Sequence, residues 1–422
     1  MLDLKLIREN PTAVRDNLKR RNNPELIIQF EELLLLDKKQ RELKTQLDEL
    51  RSSRNKTSER INQARKAGHD TKALLEQAKR LPDDIKDAEA ELGAHDTKIK
   101  DLRLRIPNVL HDTVPDGKDA TENVEVRTFN KKPTLKFTPK SHIDLALAKD
   151  LIDLERAAKI AGARWYFLKG KLARLEMALT QYAVDLMMKR GFTFVIPPHM
   201  MNHAAYEGVI SLATFEDMMY KIDGEDLYMI ATSEHPLTAQ YKDEVLEEKQ
   251  LPITLCGYST NFRKEAGAHG KDQKGIFRVH QFNKVEQVVI CKPEDSSDWH
   301  EKMVMALQEF FETLGLHGHV ITLCSGDTGA VSSKTYDVEV WYPAQQAYRE
   351  VGSCSNCQTY QSTRLNMRYQ KVNGERDYVH TLNSTVVATT RALVAILENF
   401  QDEKGNIKVP TVLQKYLDFK TI

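Results

Sequence analysis

The sequence predicts an α+β protein that opens with an antiparallel two-helix hairpin and continues into a mostly antiparallel sheet. Two runs with heptad spacing fill the first quarter of the chain. Short β-rich runs follow in the second half without regular strand–helix alternation. A connector rich in Pro, Asp and Lys separates the two patterns. A chain of 422 residues exceeds one small core and points to about two domains. With 41% apolar and 29% charged residues it falls in the globular class rather than the disordered one. The start, Met1 to Arg8, breaks its apolar residues with charges, and no run reaches the ~18 residues of a membrane span. The reading is therefore a cytoplasmic protein with no membrane partner. Its 61 basic and 61 acidic residues cancel, so any nucleic-acid footprint must be local.

In the hairpin, Leu43, Leu47, Leu50, Arg54, Thr57, Ile61 and Ala64 form the first seam. Ala78, Leu81, Ile85, Ala88, Leu92, His95, Ile99 and Leu102 form the second. Between them, Gly68 is a helix stop and Asp70 an N-cap, so the helices are expected to fold back on each other. Pro82 is expected to kink the second. Helices of about 40 residues at ~1.5 Å per residue would reach roughly 60 Å, beyond a globular body. Residues 51 to 66 carry six basic side chains (Arg51, Arg54, Lys56, Arg60, Arg65, Lys66) against one acidic, Glu59. Such a stripe attracts phosphates, although a long hairpin also serves as a dimerisation coiled coil and a charge run as a solvated face.

The hairpin is expected to span about 26–105 within an N-terminal domain of 1–108. Residues 109–140, with Val114-Pro115-Asp116-Gly117 and Lys131-Lys132-Pro133, read as a linker, and 141–422 as the catalytic domain. That part starts with an amphipathic helix from about Leu172 to Lys189, ended by Gly191. Strands are expected at Val285 to Ile290, Val320 to Leu323 and Val338 to Tyr342. Five cysteines do not make a disulfide framework. Cys354-Ser355-Asn356-Cys357 has zinc-site spacing but no second ligand pair, so two packing thiols are the preferred reading.

The chemistry concentrates in Thr232-Ser233-Glu234, Asn261 to Gly267, His280 to Glu286, and Arg391 on a helix with an apolar face. Gly270 and Gly275 are followed by Ile276-Phe277, and no G-x-G-x-x-G occurs, so P-loop and Rossmann sites are excluded. A triphosphate would have to be held by guanidinium groups, which bind phosphate oxygens in fixed bidentate geometry.

Phe262-Arg263-Lys264-Glu265 before a loop, and the Thr/Ala-rich turn before Arg391, resemble motifs 2 and 3 of class II aminoacyl-tRNA synthetases. Gly191 to Pro198 resembles motif 1, the dimer element. Within that class, Glu265-Ala266-Gly267, His280-Gln281-Phe282, Lys334-Thr335-Tyr336-Asp337, Glu350 to Asn356 and Leu382-Asn383-Ser384-Thr385 are similar to seryl-tRNA synthetases, as are Asn10-Pro11 and the hairpin. The resemblance covers nearly the whole chain. It implies an antiparallel catalytic sheet flanked by helices, a homodimer through motif 1, and an arm gripping the long variable arm of serine tRNA. The selenocysteine tRNA is left open as a further acceptor.

The resemblance also implies site roles. Arg263 and Arg391 are the catalytic residues, on the α- and γ-phosphates of ATP. Phe282 stacks on adenine, with Glu265 near the base, and Lys264, Arg278, Val279, Val351 and Gly352 complete the nucleotide site. Glu350 and Ser353 hold Mg²⁺ with ATP. L-serine is bound by Thr232, Ser233, Glu234, Arg263 and Asn383, with Glu286 and Thr385 reading its hydroxyl. Arg51, Arg54, Lys56, Arg60 and Arg65 face the tRNA. Motif 3 reads Asn383-Ser384-Thr385-Val386, closer to eukaryotic cytosolic members than to the bacterial Asn-Gly-Ser-Gly form. His269 replaces a residue that is often small in bacterial members. Two rivals fit part of the pattern: a ligase activating an amino acid for a carrier protein, whose relatives lack the arm, and a catalytically silent scaffold paralogue.

Overall fold

A computed structural model describes residues 1–211, 218–265 and 275–422. It divides into two compact units, one of Leu2–Lys19 with Asn23–Pro107, the other of Asn108–Ile422 with Met1 and Arg20–Asn22.

The first unit is helical: α1 Leu4–Glu9, α2 Pro11–Lys19, α3 Pro24–Lys66 and α4 Lys72–Arg105. Asn23 caps α3 by accepting from Glu25 N, with Pro24 in the first helical position, where its missing N–H costs nothing. At 43 residues α3 is about 65 Å long. Gly68, with φ +72°, takes the left-handed turn after it. The expected N-cap, Asp70, lies one residue early. Thr71 is the N-cap of α4, and Asp70 instead accepts from Lys72 N at 2.9 Å. Leu47 packs against Ile85 and Ala88, flanked by Leu50 and Leu92. Thr57 and Ile61 continue the buried seam, but Arg54 is exposed, because burying a charged guanidinium costs far more desolvation than burying a hydroxyl. Pro82 sits inside α4, which continues through it. Asp37 of α3 is only 2% exposed and is paired with Arg8 at 2.6 Å and Arg41 at 3.2 Å, so its charge is compensated.

The second unit is built on an eight-stranded sheet: β1 Val124–Phe129, β2 Thr193–Val195, β3 Ile253–Phe262, β4 Gln281–Cys291, β5 Gly318–Thr322, β6 Lys334–Tyr342, β7 Ala347–Gln358 and β8 His380–Ala388. The order is β1-β5-β6-β7-β8-β4-β3-β2, antiparallel throughout except for the β2–β3 pair. The connector is more than a linker, since its residues 124–129 form edge strand β1. An edge strand is half-solvated, as exposed Val124 and Val126 indicate, and its weak apolar signal was masked by the Pro and Lys around it.

Four helices position the site: α5 Gly170–Lys189, α6 Glu234–Ala239, α7 Ser296–Thr313 and α8 Thr389–Asn399. Gly191 has φ +85° just beyond α5, the conformation that stops the helix before β2. Leu172, Leu175 and Leu179 of α5, Leu307 and Phe310 of α7, and the run Ala392 to Leu397 of α8 share one core with Val285, Val289, Val338 and Val340 of the sheet. A helix apolar on every side, such as α8, needs burial on every side. That burial holds Arg391 in its first turn.

Candidate active site

Strands β3 and β4 pair in register from Ile253↔Ile290 to Phe262↔Gln281, which brings Arg263 beside His280. Arg263 N donates to His280 O at 2.9 Å, its Nε donates to Ala231 O at 3.3 Å, and its guanidinium lies 5.2 Å from the Phe282 ring centre. Glu265 turns the chain with φ +50° and accepts from Arg278 Nη1 at 3.1 Å. Ala266 and Gly267, which carry part of the resemblance to seryl-tRNA synthetases, and His269 lie outside the described residues.

From the other side, Arg391 Nη1 donates to Glu350 Oε1 at 2.8 Å and to Glu350 O at 2.9 Å. Tyr342 Oη donates to Arg391 O at 3.0 Å. Ser353 Oγ donates to Glu350 Oε1 at 3.4 Å. Burial pulls the Glu350 carboxyl upward, but Arg391, Ser353 and Arg263 outweigh it and keep it below the ordinary carboxylate range. Burial and the neighbouring Arg391 lower the Arg263 guanidinium. Burial and a neighbouring cation both act against the Arg263 charge, which favours a bound polyanion beside the two guanidinium groups.

Arg263, Glu265, Phe282, Glu350, Thr385 and Arg391 line one solvent-open cavity, together with Arg278, Val279, Val351 and Gly352. Gly352 is tightly packed there: a Cβ on it would lie 3.0 Å from both Leu307 Cδ1 and Thr385 Cβ, so those side chains would have to give by a few tenths of an ångström. Phe277, Lys284, Ala388 and Thr390 also line the cavity, though sequence reasoning gave them no role.

Thr385 of β8 faces Glu286 of β4 in register. Glu286 is buried, and Lys284 Nζ, also buried, lies 2.5 Å from its Oε2. The signal for Lys284 was its i, i+2 spacing from Glu286, which puts both on one face of a strand. Glu234, at the start of α6, is held through Oε1 by Gln361 Nε2 at 2.9 Å and by Asn383 Nδ2 at 3.0 Å. Its backbone N donates to Thr232 Oγ1 at 3.1 Å. Burial and the Glu286 charge push the Glu234 carboxyl up to about 7, against the pull of Lys284, Gln361 and Arg263. Neighbouring His235 is pulled down to about 3 by burial, Lys284 and Arg263, and is therefore neutral.

Two of the sequence-derived site residues are engaged elsewhere. Ser233 is fully buried and its Oγ donates to Gly257 O at 3.3 Å. Lys264 is exposed, with its Nζ 5.9 Å from the Tyr220 ring centre. The Cys354 and Cys357 thiols are free and buried, and Cys357 Sγ accepts from Asn383 Nδ2 at 3.5 Å. Below the cavity Glu176 of α5 accepts from Thr389 Oγ1 at 2.6 Å and from Asn283 Nδ2 at 3.2 Å, tying α5, β4 and α8 together.

A divalent cation fits the oxygen donors at Glu350 and Ser353. Asp337 stands opposite Ser353 in register, and its buried Oδ1 has no hydrogen-bond partner among the described residues. A hard, oxygen-preferring ion satisfies such a set better than zinc.

Residues 215–400 match the tRNA synthetase class II core domain (G, H, P, S and T), which agrees with an antiparallel sheet carrying one arginine beside β3 and another in α8. The fold and site thus define a class II aminoacyl-tRNA synthetase. Residues 1–110 match the seryl-tRNA synthetase N-terminal domain. The serine–tRNA ligases of Methanocella arvoryzae and Methanoregula boonei are each 50% identical over 420 residues, covering 99% of both chains. The crystal structure of seryl-tRNA synthetase from Pyrococcus horikoshii complexed with ATP superposes with a TM-score of 0.97 at 42% identity, covering 100% of this chain and 99% of that one. The cytoplasmic serine–tRNA ligase of Naegleria fowleri in complex with AMP gives 0.91 at 32% identity, covering 100% and 98%. The chain belongs to the seryl-tRNA synthetase family.

Proposed function

We infer that this chain ligates serine to tRNA at the expense of ATP. In the first step an oxygen of the serine carboxylate attacks the α-phosphorus and pyrophosphate leaves, forming seryl-adenylate. In the second, a ribose hydroxyl at the 3′ end of the tRNA attacks the adenylate carbonyl and AMP leaves. Catalysis of such a transfer is mainly positioning and charge stabilisation. The observation that carries this reading is the convergence of Arg263, Phe282, Glu350, Thr385 and Arg391 on one cavity, with Glu286 beside Thr385.

Arg263 binds the α-phosphate and the serine carboxylate, Arg391 binds the γ-phosphate, and Phe282 carries adenine with Glu265 at its edge. Glu350 and Ser353 would hold Mg²⁺, which would shield the phosphate charge and the leaving pyrophosphate. Glu234 and Glu286 receive the serine ammonium, with Asn383 aligning Glu234. Glu286 and Thr385 read the hydroxyl, so alanine and glycine leave buried hydrogen bonds unmade. In the free site Lys284 neutralises Glu286.

Domain 1–108 binds the long variable arm of serine tRNA, and 141–422 carries the chemistry. The exposure of Arg51, Arg54, Lys56, Arg60 and Arg65 supports this reading, although Arg51 also pairs with Glu89 at 2.8 Å. Exposed Met177, Met188, Phe194 and Ile196 along α5 and edge strand β2 support a homodimer through motif 1. No described helix is long and apolar enough to cross a membrane, and the proposed compartment is the cytoplasm. The deciding experiment is pyrophosphate exchange into ATP with each amino acid, followed by charging of unfractionated tRNA. Serine alone should support both, and equal exchange with alanine overturns the assignment.

A further inference from the structure

Gln361 belongs to none of the catalytic motifs, yet it is 1% exposed and touches the carboxylate proposed to hold the substrate ammonium. It sits on a short helix, Tyr360–Leu365, just beyond β7. Its Nε2 donates to Glu234 Oε1 at 2.9 Å and to Val209 O at 3.1 Å. Its Oε1 accepts from Thr381 Oγ1 of β8 at 2.6 Å. A main-chain carbonyl can only accept, so Val209 O fixes which end of the amide carries the N–H groups, and the Thr381 hydroxyl completes the lock. Val209 is the last residue of the helix His203–Val209, whose terminal carbonyls lack intrahelical donors. Gln361 therefore has a fixed orientation, with one N–H aimed at Glu234. Asn383 Nδ2 reaches the same oxygen at 3.0 Å. Among the described residues, Glu234 Oε2 receives no hydrogen bond.

We propose that Gln361, oriented by Thr381 and Val209, is the positioning residue for serine binding: it fixes Glu234 through Oε1 so that Oε2 meets the substrate ammonium. This rests on the reading of Glu234 as an ammonium-binding carboxylate. Two N–H donors on one oxygen favour the charged carboxylate, where burial and Glu286 favour the neutral acid. The groups facing Glu234 are Glu286, Lys284, Arg263, Asn383, neutral His235 and the Cys357 thiol. Losing the Gln361 donor shifts that balance toward the neutral acid, which cannot bind an ammonium. The predicted defect is therefore specific to serine and largest at low pH.

The test measures serine and ATP KM by pyrophosphate exchange on the full-length enzyme between pH 6 and 9. Gln361→Met should raise the serine KM about 10- to 100-fold at pH 7, the range of one hydrogen bond to a charged group, with the ATP KM within about twofold. The defect should shrink toward pH 9, as the carboxylate ionises without help. Thr381→Val removes one of the two contacts that orient the amide while leaving Gln361, Asn383 and the Val209 carbonyl present, and should show a milder defect of the same pH form. It also keeps the test decisive if Gln361→Met fails to fold. A serine KM unchanged in the folded variants, or raised equally at every pH alongside a lowered Tm, overturns the proposal. Glu234→Gln separates the layers: wild-type serine KM in that variant removes the reading of Glu234 itself. Loss of serine binding there, with none in Gln361→Met, removes Gln361 alone.

Discussion

In the hairpin, Leu47 of α3 meets Ile85 and Ala88 of α4 along a seam whose members are spaced by three and four residues. In the active site, Glu234 and Asn383 share a hydrogen bond across 149 positions of sequence, with no periodicity linking them. One region is assembled from a local repeat and the other from strand order. The repeat tolerates polar residues, as the buried Thr57 and the outward-turned Arg54 indicate. The site allows no such exchange, because each buried polar group depends on another, mostly brought in by a different strand or helix. Substitutions in the site should therefore act sharply on chemistry, and those in the hairpin gradually on RNA binding or local stability.

The largest effect should come from Arg391→Ala, which removes the proposed γ-phosphate contact and leaves Glu350 without its partner. Serine-dependent exchange should fall by roughly 10³-fold, the scale of a lost phosphoryl-stabilising arginine, with the circular dichroism of the helices unchanged. Deleting residues 26–105 should do the reverse. Exchange should stay within about twofold while charging drops by roughly 10²-fold, as expected when several phosphate contacts go at once. If the shortened enzyme charges tRNA as well as the full chain, the hairpin is a scaffold and the contrast between the regions fails.

Reversing Arg51, Arg54 and Arg60 to glutamate keeps the seam and should lower charging about tenfold, with a shallower dependence on salt because fewer counterions are released. An unaltered salt slope would mean that the stripe is only a solvated face. Leu47→Ala should weaken the hairpin by about 2–3 kcal/mol, measured as faster amide exchange along α3 and α4, with pyrophosphate exchange untouched.

The smallest effect concerns pH. Glu234 keeps its proton in the folded protein up to about 7, whereas the unfolded carboxyl releases it near its ordinary value. Its contribution to stability is thus complete at acid pH and is lost as pH rises through about 7. Serine binding needs the ionised form, so the serine KM should fall by a few-fold from pH 6.5 to 7.5 while the ATP KM stays level. A flat serine KM over that interval would mean that Glu234 is already ionised in the free enzyme.

The sequence made both regions legible to different depths. Heptad spacing identified the hairpin helices, and the strong breaker Gly191 fixed the end of α5. It erred where two signals differ by one residue, as at Asp70 and Thr71, or where one competes with solvation, as at Arg54. Strand β1 was hidden because an edge strand has little apolar content to set against the proline and lysine around it. In the site, Arg263, Glu265, Phe282, Glu350, Thr385 and Arg391 were recognisable from motif context and line one cavity. Lys284 and Gln361 were not singled out, since their importance arises from the partners they meet: Glu286 on β4 for Lys284, and Glu234 of α6 and Thr381 of β8 for Gln361. The family resemblance placed Ser233 with the substrate; in the structure its hydroxyl donates to Gly257 O.

All five cysteines are buried, and burial pushes the Cys256 and Cys291 thiols up to about 12 and raises those of Cys354 and Cys357 as well. The thiolate is the form that reacts with maleimides, so these four sulfurs should be chemically silent in the folded protein. With Cys324 replaced, a single cysteine placed at exposed Asp84 of α4, outside the basic stripe, would then be the preferred point of dye attachment. The catalytic unit thereby supplies a dark background against which the proposed binding of tRNA to the hairpin can be tested by fluorescence.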